Sequence, residues 1–553
     1  RGARARGSAW GDLRCCASMG TVVRAGSGRG GVVATGERAE FGRIAVGLSE
    51  RHPETDFQLG LKKFSLLLLQ VAIALTSLIF VTNLLLHRPL LQSLLFSLAI
   101  AVGITPQLLP AVVSTSLATG SRQLARRKVL VKRLVCIEDL GDMDVLVTDK
   151  TGTLTEGRIT FTAAIDAAGQ VSEFALLHGL LSTETDPATG GGIVGGNPLD
   201  DALWAAAEAY HLDTTGYVRT GLLPFDHERQ MTSAIVRVPD GASRLIVKGA
   251  PEAVLARCSS LPDAAAATLN AQFNAGSRVV AVASRPADGL TVPTAVAEKD
   301  LVLDGFLVFL DKPKPAAAAS LRRLAALGIT VKICTGDNPL VAEKVCADLG
   351  LVSGGTLTGS DLDKLSDGAL TNAAQTTTVF ARVSPEQKAR LIRLLRHRGR
   401  AVGFLGDGVN DALALHAADV GISVDTATDV AKDAADIILL DKDLAVIADG
   451  VTEGRRIFAN TIKYVLMGTS SNFGNMFSAA AASAVLSFLP LLPSQILLNN
   501  LLYDTSQLTI PTDHVDPEQL KAPSHWDIAF IRRFMLFFGP LSSLFDFLTF
   551  ALM

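Results

Sequence analysis

The sequence predicts a multidomain membrane protein in which transmembrane helices flank a doubly wound α/β domain that carries an inserted α+β domain. Three observations support this fold class. Apolar blocks gather towards both ends of the chain, which has 553 residues and a mean hydropathy of +0.34. The middle alternates short β-branched runs with helical runs, a pattern typical of a parallel sheet. An Ala-rich stretch with Gly-rich breaks, residues 162–300, interrupts that alternation.

The apolar blocks predict membrane-spanning helices. The block "FSLLLLQVAIALTSLIFVTNLLL" carries no charge over 23 residues, which is rare in a buried helix of a soluble protein. Lys and Arg cluster on the flanks that the positive-inside rule assigns to the cytoplasm, so we expect a multi-pass protein of the cell membrane with a cytoplasmic middle region. The predicted spans, of which the last is incomplete, are 64–86, 91–118, 464–489, 494–512 and 533–553.

Composition excludes other classes of function. The net charge of −3 provides no bulk attraction to nucleic acid. Six Cys residues match no zinc or disulfide spacing, so we expect free thiols in a reducing compartment. Nothing in the sequence indicates an obligate protein partner. The chain begins without Met and stops inside an apolar run, so we expect both ends to be incomplete.

The middle of the chain predicts a Rossmann-like sheet. Runs such as "VLVTD", "ITVKICTGD" and "AVGFLGD" each end in a polar turn, and ligands bind at the carboxyl ends of such parallel strands. The predicted regions are an N-terminal remnant (1–50), a helix pair broken at "TPQLLP" (51–120), the sheet domain (121–161 and 301–455), the inserted domain (162–300) and the last helices (456–553).

Clusters at the strand ends carry the residue types needed for phosphoryl transfer. The carboxylate of Asp149, in "DKTGTLT", is a competent nucleophile when a divalent cation neutralises the charge of a phosphoryl group. The loop "TGDN" offers N–H groups and a hydroxyl to phosphoryl oxygens, and "GDGVND" offers carboxylates to a metal. Lys388, in "SPEQK", suits a phosphate oxygen.

Together these motifs resemble the P-type ATPases, membrane pumps whose cytoplasmic phosphorylation domain has the haloacid-dehalogenase-like fold. The resemblance runs in order from about residue 19 onward and implies an aspartyl phosphate formed from ATP with Mg²⁺. Related phosphatases carry an acid two residues after the nucleophile, where this chain has Thr151, so we expect a long-lived intermediate. The predicted catalytic residues are Asp149, Lys150, Thr151, Thr335, Gly336, Asp337, Lys388, Asp407, Asn410 and Asp411, with Mg²⁺ at Asp149, Thr151 and Asp407.

The inserted domain resembles the nucleotide-binding domain of the same family, through "PFDHERQMTS" and "VKGAPE". The resemblance implies that Phe225 stacks on adenine, that Lys248 and Gly249 lie in the ATP pocket, and that Arg278 lies near the phosphates. The plain alternative is a core Phe and solvated cations.

Polar residues in the predicted spans indicate a cation pathway. Pro106 interrupts helical hydrogen bonding, and freed carbonyls are tolerated at membrane depth where they line a cavity. The donors are all oxygen atoms, which suits a hard divalent cation. This portion resembles the bacterial magnesium-transporting P-type ATPases, although Gln107 stands where that family commonly has Glu. The predicted ion residues are Pro106, Gln107, Asn472, Asn475, Asn499, Asn500 and Asp504.

The sequence leaves alternatives open beside a magnesium pump. These are a pump for another hard cation such as calcium, a membrane-tethered phosphatase of the same fold, and a fragment without a catalytic cycle. The segment "ATGERAEFG" resembles the closing strand of the actuator domain and not its "TGES" loop. We therefore expect an incomplete pump that accepts phosphate but dephosphorylates poorly.

Overall fold

The described part of the chain divides into two compact units. The computed structural model describes residues 30–35, 38, 56–105, 108–184, 198–210, 212–226, 229–287, 289–290, 292–351, 354–397, 399–441, 443–486 and 492–552. The first unit falls within 1–50, 148–321 and 332–388, and the second within 51–147, 322–331 and 389–553.

The helices are distributed over both units. They are α1 (Asp56–Leu85), α2 (Leu90–Ile104), α3 (Leu109–Arg126), α4 (Cys136–Asp142), α5 (Glu173–Leu181), α6 (Pro198–Tyr210), α7 (Pro251–Leu255), α8 (Asp263–Asn274), α9 (Ala317–Ala326), α10 (Pro339–Asp348), α11 (Gly359–Lys364), α12 (Asp367–Thr376), α13 (Pro385–Arg396), α14 (Ala412–Ala417), α15 (Asp429–Ala434), α16 (Leu444–Val485), α17 (Pro493–Gln507) and α18 (Ile528–Leu552).

The strands lie between Val129 and Leu439. They are β1 (Val129–Val131), β2 (Val145–Thr148), β3 (Thr155–Ile165), β4 (Val218–Asp226), β5 (Met231–Arg237), β6 (Ser243–Gly249), β7 (Cys258–Ser260), β8 (Arg278–Pro286), β9 (Leu301–Pro313), β10 (Thr330–Thr335), β11 (Thr356–Thr358), β12 (Val379–Ala381), β13 (Val402–Leu405), β14 (Val420–Val424) and β15 (Ile437–Leu439).

The first unit contains a sheet in the order β3-β9-β8-β6-β5-β4, in which neighbours are antiparallel, with β7 beside β9. Its strands alternate between two cores because successive side chains point to opposite faces. On β9, Phe306 and Val308 belong to the core that includes α8 residues, while Leu307 and Phe309 belong to the core that includes α5 residues. This sheet is therefore covered on both faces.

Parallel strands form the predicted Rossmann-like architecture. In the first unit, β10, β12 and β11 pair in parallel. In the second unit the order is β1-β15-β14-β13-β2, with β13, β14 and β15 parallel and β1 antiparallel at the edge. Helices α10 to α15 separate these strands along the chain, which is the connectivity that a parallel sheet requires.

Three helical segments of the described chain are long and apolar enough to cross a membrane: Phe57–Leu85, Leu90–Arg126 and Ile528–Leu552. The predicted third span corresponds to part of α16, which has 42 residues and begins at Leu444 instead of residue 464. At 1.5 Å per residue its length is about 63 Å, roughly twice the thickness of a hydrocarbon core. Helix α17 has 15 residues and ends at Gln507, before the predicted end of the fourth span.

Helix α16 extends beyond the apolar block because its first part packs on α4. A Cβ atom on Gly141 would lie 2.5 Å from backbone atoms of Gly454 and Arg455, so only a residue without a side chain permits this approach. The guanidinium of Arg455, 1 % exposed, donates to the carbonyls of Gly141 (3.0 Å), Leu520 (2.9 Å) and Leu327 (2.7 Å). Burial lowers the pKa of Arg455 to about 10.

The predicted break in the second span falls between α2 and α3. Helix α2 ends at Ile104 and α3 begins at Leu109. Pro106 and Gln107 themselves, and most of the predicted N-terminal remnant, lie outside the described residues.

Candidate active site

The turn after β2 carries the predicted nucleophile. Asp149 directly follows Thr148, the last residue of β2, and its side chain is 18 % exposed. Its Oδ1 accepts a hydrogen bond from the backbone N–H of Lys150 at 2.7 Å. Its Oδ2 lies 3.7 Å from Nζ of Lys388, whose side chain is 2 % exposed. One carboxylate oxygen is therefore held by the backbone while the other faces a buried cation.

Lys150 ties this turn to two other segments of the first unit. Its buried Nζ lies 2.7 Å from Oδ2 of Asp337 and 3.6 Å from Oδ2 of Asp311. Asp311 also accepts hydrogen bonds from the hydroxyl of Thr155 (2.6 Å) and the N–H of Gly157 (3.1 Å). The charge of Lys150 is thus neutralised by neighbouring carboxylates, and these ion pairs stabilise the turn after β2.

The "TGDN" loop begins at Thr335, the last residue of β10. The hydroxyl oxygen of Thr335 accepts from the backbone N–H of Asp337 at 3.2 Å, which leaves the hydroxyl hydrogen available as a donor. The side chain of Asn338 caps α10 by accepting from the N–H of Leu340 at 3.0 Å. The loop therefore presents a hydroxyl donor near a helix N-terminus, where anions are favoured.

A large cavity in the first unit is lined by both the inserted domain and the "TGDN" loop. Its volume is about 1050 Å³, comparable with cavities that bind a nucleotide-sized ligand. The ring of Phe225, whose residue is 43 % exposed, forms part of its wall. The structure brings together here the predicted Phe225, Lys248, Gly249, Arg278, Gly336 and Asp337.

Lys248 is held at the cavity wall by a buried acid. Its Nζ lies 2.5 Å from Oδ1 of Asp200, and the other oxygen of Asp200 accepts from the N–H of Glu184 at 3.0 Å. Neighbouring Gly249 has no room for a side chain, because a Cβ atom there would collide with the carbonyl of Gln230. The ammonium group of Lys248 is therefore held in place on β6, where the backbone at Gly249 lies close to Gln230.

Two acids of this site were not selected from the sequence. Asp311 follows the apolar run "LVFL", so an acid directly after an apolar run was an available signal, although β9 continues to Pro313. Asp200 lies in the first turn of α6, and that position alone is common for acids without any ligand.

The "GDGVND" loop belongs to the second unit. Gly406 follows β13, and its carbonyl accepts from the hydroxyl of Ser423 at 2.8 Å. The backbone carbonyl of Asp407 accepts from the N–H of Thr428 at 3.1 Å. Asp411 is buried and accepts from the N–H of Gly408 at 3.3 Å, whereas Asn410 is exposed. The carboxylate of Asp411 therefore stabilises the loop in which it lies.

The predicted ion residues that the structure describes lie on α16 and α17. Asn472, Asn500 and Asp504 are buried, and Nδ2 of Asn500 donates to the carbonyl of Gly103 at 3.0 Å. Asn475 is half-buried, and Asn499 is exposed and points away from the buried face of α17. Within the described part of the chain, no group of three or more His, Cys, Asp or Glu side chains forms a metal cluster.

Comparison with known proteins identifies the family. The sequence profile of the haloacid dehalogenase-like hydrolases matches residues 143–419, half of the chain. The chain belongs to the haloacid dehalogenase-like hydrolases. The matched segment begins just before β2 and ends just before β14, so it includes Asp149, the "TGDN" loop, Lys388 and the "GDGVND" loop.

The chain is also similar to proteins named as cation-transporting ATPases. It is 44 % identical over 97 % of its length to magnesium-transporting ATPase, P-type 1, of Escherichia coli K12, and 41 % identical over 98 % to a protein of the same name from Salmonella typhimurium. It is 32 % identical over 89 % of its length to a calcium-transporting ATPase of Bacillus subtilis. The chain spans 61 % of the length of each of these relatives.

The comparisons confirm two predictions. The resemblance to the magnesium-transporting P-type ATPases is confirmed by the first two relatives. The fold class, a membrane protein with a haloacid-dehalogenase-like domain, is confirmed by the family match together with the apolar helices. The domain boundaries and the roles of individual site residues stay predictions.

Proposed function

We propose that this chain is part of an ATP-driven pump that moves a divalent cation, magnesium, across the cell membrane through a phosphorylated Asp149. The observation that carries this proposal is the surroundings of Asp149. One oxygen of its carboxylate is fixed by the backbone, and the other lies 3.7 Å from the buried cation of Lys388. A cavity lined by the predicted ATP residues includes Gly336 and Asp337, and Asp337 is ion-paired with Lys150.

In the proposed reaction, Oδ2 of Asp149 attacks the γ-phosphorus of ATP. The new bond joins Oδ2 to phosphorus, and the bond from that phosphorus to the bridging oxygen breaks, so that ADP leaves with the electron pair. Lys388 offers a positive charge to the oxygens of the transferred group, where negative charge is spread in the transition state. The hydroxyl of Thr335 donates to the same oxygens.

Mg²⁺ fits the oxygen-donor chemistry predicted for this reaction. When bound, it would neutralise the negative charge of the phosphoryl group. Its predicted ligands, Asp149, Thr151 and Asp407, supply only oxygen atoms, as Mg²⁺ prefers. The assignment of these three ligands is a proposal based on the sequence motifs.

Thr151 supports a long-lived intermediate in this proposal. A phosphatase of this fold uses an acid at that position to assist hydrolysis, and a threonine hydroxyl cannot take that role at neutral pH. The aspartyl phosphate then persists long enough for a slower conformational step to be coupled to it. This is the feature that favours a pump over a membrane-tethered phosphatase.

The cargo is proposed from the named relatives and the donor atoms. Two relatives at 44 % and 41 % identity are magnesium-transporting ATPases, and one at 32 % is a calcium-transporting ATPase. The predicted ion residues of α16 and α17 that are buried are two amides and one carboxylate, Asn472, Asn500 and Asp504, which suit a hard cation. Calcium is the second candidate because its relative shares the same region of the chain.

Labelled ATP tests the proposal. We expect [γ-³²P]ATP with Mg²⁺ to label the full chain, and we expect the label to survive acid precipitation and to be released by hydroxylamine. The label should be absent from Asp149→Asn. The matched control is Asp348→Asn, which changes an exposed acid of the same unit that pairs only with Lys344 on its own helix.

Each of the other possible outcomes would contradict a specific part of the proposed function. Release of free phosphate without a trapped phosphoprotein would favour the phosphatase. Equal labelling of Asp149→Asn and wild type would place the phosphoryl acceptor elsewhere. If the rate of labelling responds to Ca²⁺ as cargo and not to Mg²⁺, calcium would replace magnesium as the proposed cargo. The proposed phosphorylation reaction would not be affected by that result.

A further inference from the structure

The buried face of α17 is longer than the predicted ion site. Four residues of this helix are buried, and three of them are polar: Asn500, Asp504 and Gln507. They are spaced four and three residues apart, so they lie above one another on one side of the helix. Gln507 adds one further turn to the residues that the sequence predicted. It is 3 % exposed.

Gln507 is not satisfied by its surroundings. Within the described residues, neither Oε1 nor Nε2 has a hydrogen-bond partner. Oε1 lies 3.4 Å from the position that a Cβ atom of Gly468 would occupy, so the amide points into a notch on α16. A buried amide without a partner is costly, and such groups are usually satisfied by a protein group, an ordered water or a bound ion.

The side of α16 that faces α17 carries a second row of residues. Tyr464, Gly468 and Asn472 follow at intervals of four residues, which places them on one face. Tyr464 and Asn472 are 0 % and 1 % exposed, and the phenol oxygen and both amide atoms lack hydrogen-bond partners among the described residues. The hydroxyl of Tyr503 on α17 donates to the carbonyl of Met467 on α16 at 3.2 Å, so the two helices approach each other here.

The chemistry of these groups suits a hydrated cation. Amide and phenol oxygens are neutral, and a single carboxylate, Asp504, supplies charge. Mg²⁺ gives up its water shell reluctantly and is often bound through its waters, which need neutral acceptors and donors around them. A fully dehydrated ion would instead favour several carboxylates.

We propose that Gln507, one helical turn beyond Asp504, and Tyr464, two turns before Asn472, form a second cation subsite beside the notch at Gly468. The subsite lies towards the N-terminal end of α16 and takes a divalent cation that keeps part of its water shell. This inference rests on the proposed function, because it assigns a second position to the proposed cargo.

Mn²⁺ binding to the full chain in lipid nanodiscs tests the subsite. Every protein in this test, including the reference called wild type, carries Asp149→Asn and Asp407→Asn, so that the proposed reaction-site metal does not contribute. Bound Mn²⁺ is measured by electron paramagnetic resonance. We expect Gln507→Leu to weaken binding about tenfold and Tyr464→Phe about threefold, in line with the loss of one ligand contact. Gln507→Glu should tighten binding, a change of sign that a purely structural residue would not give.

A matched control and a competitor sharpen the test. Thr505→Val removes an exposed hydroxyl that bonds only to its own helix, and it should leave Mn²⁺ binding unchanged. Hexaamminecobalt(III), an inert analogue of a hydrated cation, should displace Mn²⁺ from wild type and do so less well from Gln507→Leu.

The outcomes separate the subsite from the proposed function. If Asp504→Asn loses Mn²⁺ while Gln507→Leu and Gln507→Glu both bind as wild type does, the subsite is refuted and the pump proposal stands. If wild type and Asp504→Asn bind Mn²⁺ equally, the proposed cargo site itself fails. If Gln507→Leu does not fold, the other two variants decide whether the subsite exists. Tighter Mn²⁺ binding in Gln507→Glu and weaker binding in Tyr464→Phe would support it, and unchanged binding in both would refute it.

Discussion

Two sets of buried polar groups differ in how the protein satisfies them. In the first unit, two buried cations are each paired with an acid: Lys150 lies 2.7 Å from Asp337, and Lys248 lies 2.5 Å from Asp200. In the second unit, the amides of Asn472 and Gln507 are equally buried, yet their polar atoms have no hydrogen-bond partner in the described chain.

The difference follows from the cost of burying each kind of group. An unpaired buried charge costs far more than an unpaired amide, so charges must be neutralised within the protein itself. Pairing fixes their geometry, which suits a reaction that depends on positioning. An amide without a partner is tolerable and remains able to bind a passing cation or its water. The paired cations are therefore suited to fixed chemistry and the unpartnered amides to a transient ligand.

The largest expected effect is on phosphorylation in Lys388→Met. This change removes the buried cation that faces Asp149, so we expect phosphoprotein to form about 10²- to 10³-fold more slowly. Rapid-quench kinetics with labelled ATP measure the rate, and ATP affinity measured separately should change little. An unchanged rate would show that this cation does not act on the transferred group.

A large effect is also expected on the lifetime of the phosphoprotein in Thr151→Asp. An acid at this position supplies the proton transfer that the wild type lacks, so hydrolysis should be about 100-fold faster. The lifetime is measured by a chase with unlabelled ATP. Thr151→Asn, which has the same size but no acid, is the control, and equal lifetimes in all three proteins would contradict the role assigned to Thr151.

The paired charges predict a large loss of stability in Lys150→Met. Without Lys150, the carboxylates of Asp311 and Asp337 are left facing each other, so we expect the free energy of unfolding to fall by about 3 kcal/mol. Lys344→Met removes an exposed pair within one helix and should cost about 0.3–0.5 kcal/mol. Chemical denaturation compares the two. Equal losses would mean that the buried pairs do not stabilise the turn.

A smaller effect is expected on ATP affinity in Phe225→Ala. Loss of a stacked aromatic face costs about 1 kcal/mol, so the Kd for ATP should rise about five- to tenfold. Isothermal titration calorimetry measures it. Phe174→Ala, which changes a comparably exposed ring of the same unit that does not line the cavity, should leave the Kd unchanged. If both variants bind ATP with similar affinity, Phe225 only forms part of the cavity wall and does not stack on adenine.

The unpartnered amides predict the smallest effect, in Asn472→Leu. Because no hydrogen bond is lost, the free energy of unfolding should stay within about 1 kcal/mol of wild type or rise. Asn500→Leu is the matched contrast, since it loses the bond to Gly103 and should cost about 1 kcal/mol more. If Asn472→Leu destabilises as much as Lys150→Met, the difference between the two regions disappears.

Local sequence predicted the parts of the site that follow strand ends. Asp149, Thr335 and Gly336 directly follow or end parallel strands, and a strand and the turn after it are marked by apolar runs and turn residues. The resemblance to a family then supplied roles for Phe225 and Lys248, and the structure places both on one cavity.

Long-range pairing and helix phase could not be predicted in the same way. Asp200 and Asp311 matter because of their distant partners, which no local pattern reveals. Asn499 and Asn500 are adjacent and chemically identical, yet one is exposed and the other buried, because helical phase relative to neighbours decides burial. Hydropathy likewise marked only the apolar part of α16, since the rest is buried against protein.

Identification of the phosphorylated residue tests the central claim most directly. After incubation with ATP and Mg²⁺, borohydride reduces an aspartyl phosphate to homoserine, and peptide mass spectrometry locates that change. The structure predicts homoserine at position 149 and nowhere else in the full chain. Homoserine at another acid, or sustained ATP hydrolysis without any reducible acyl phosphate, would contradict the account.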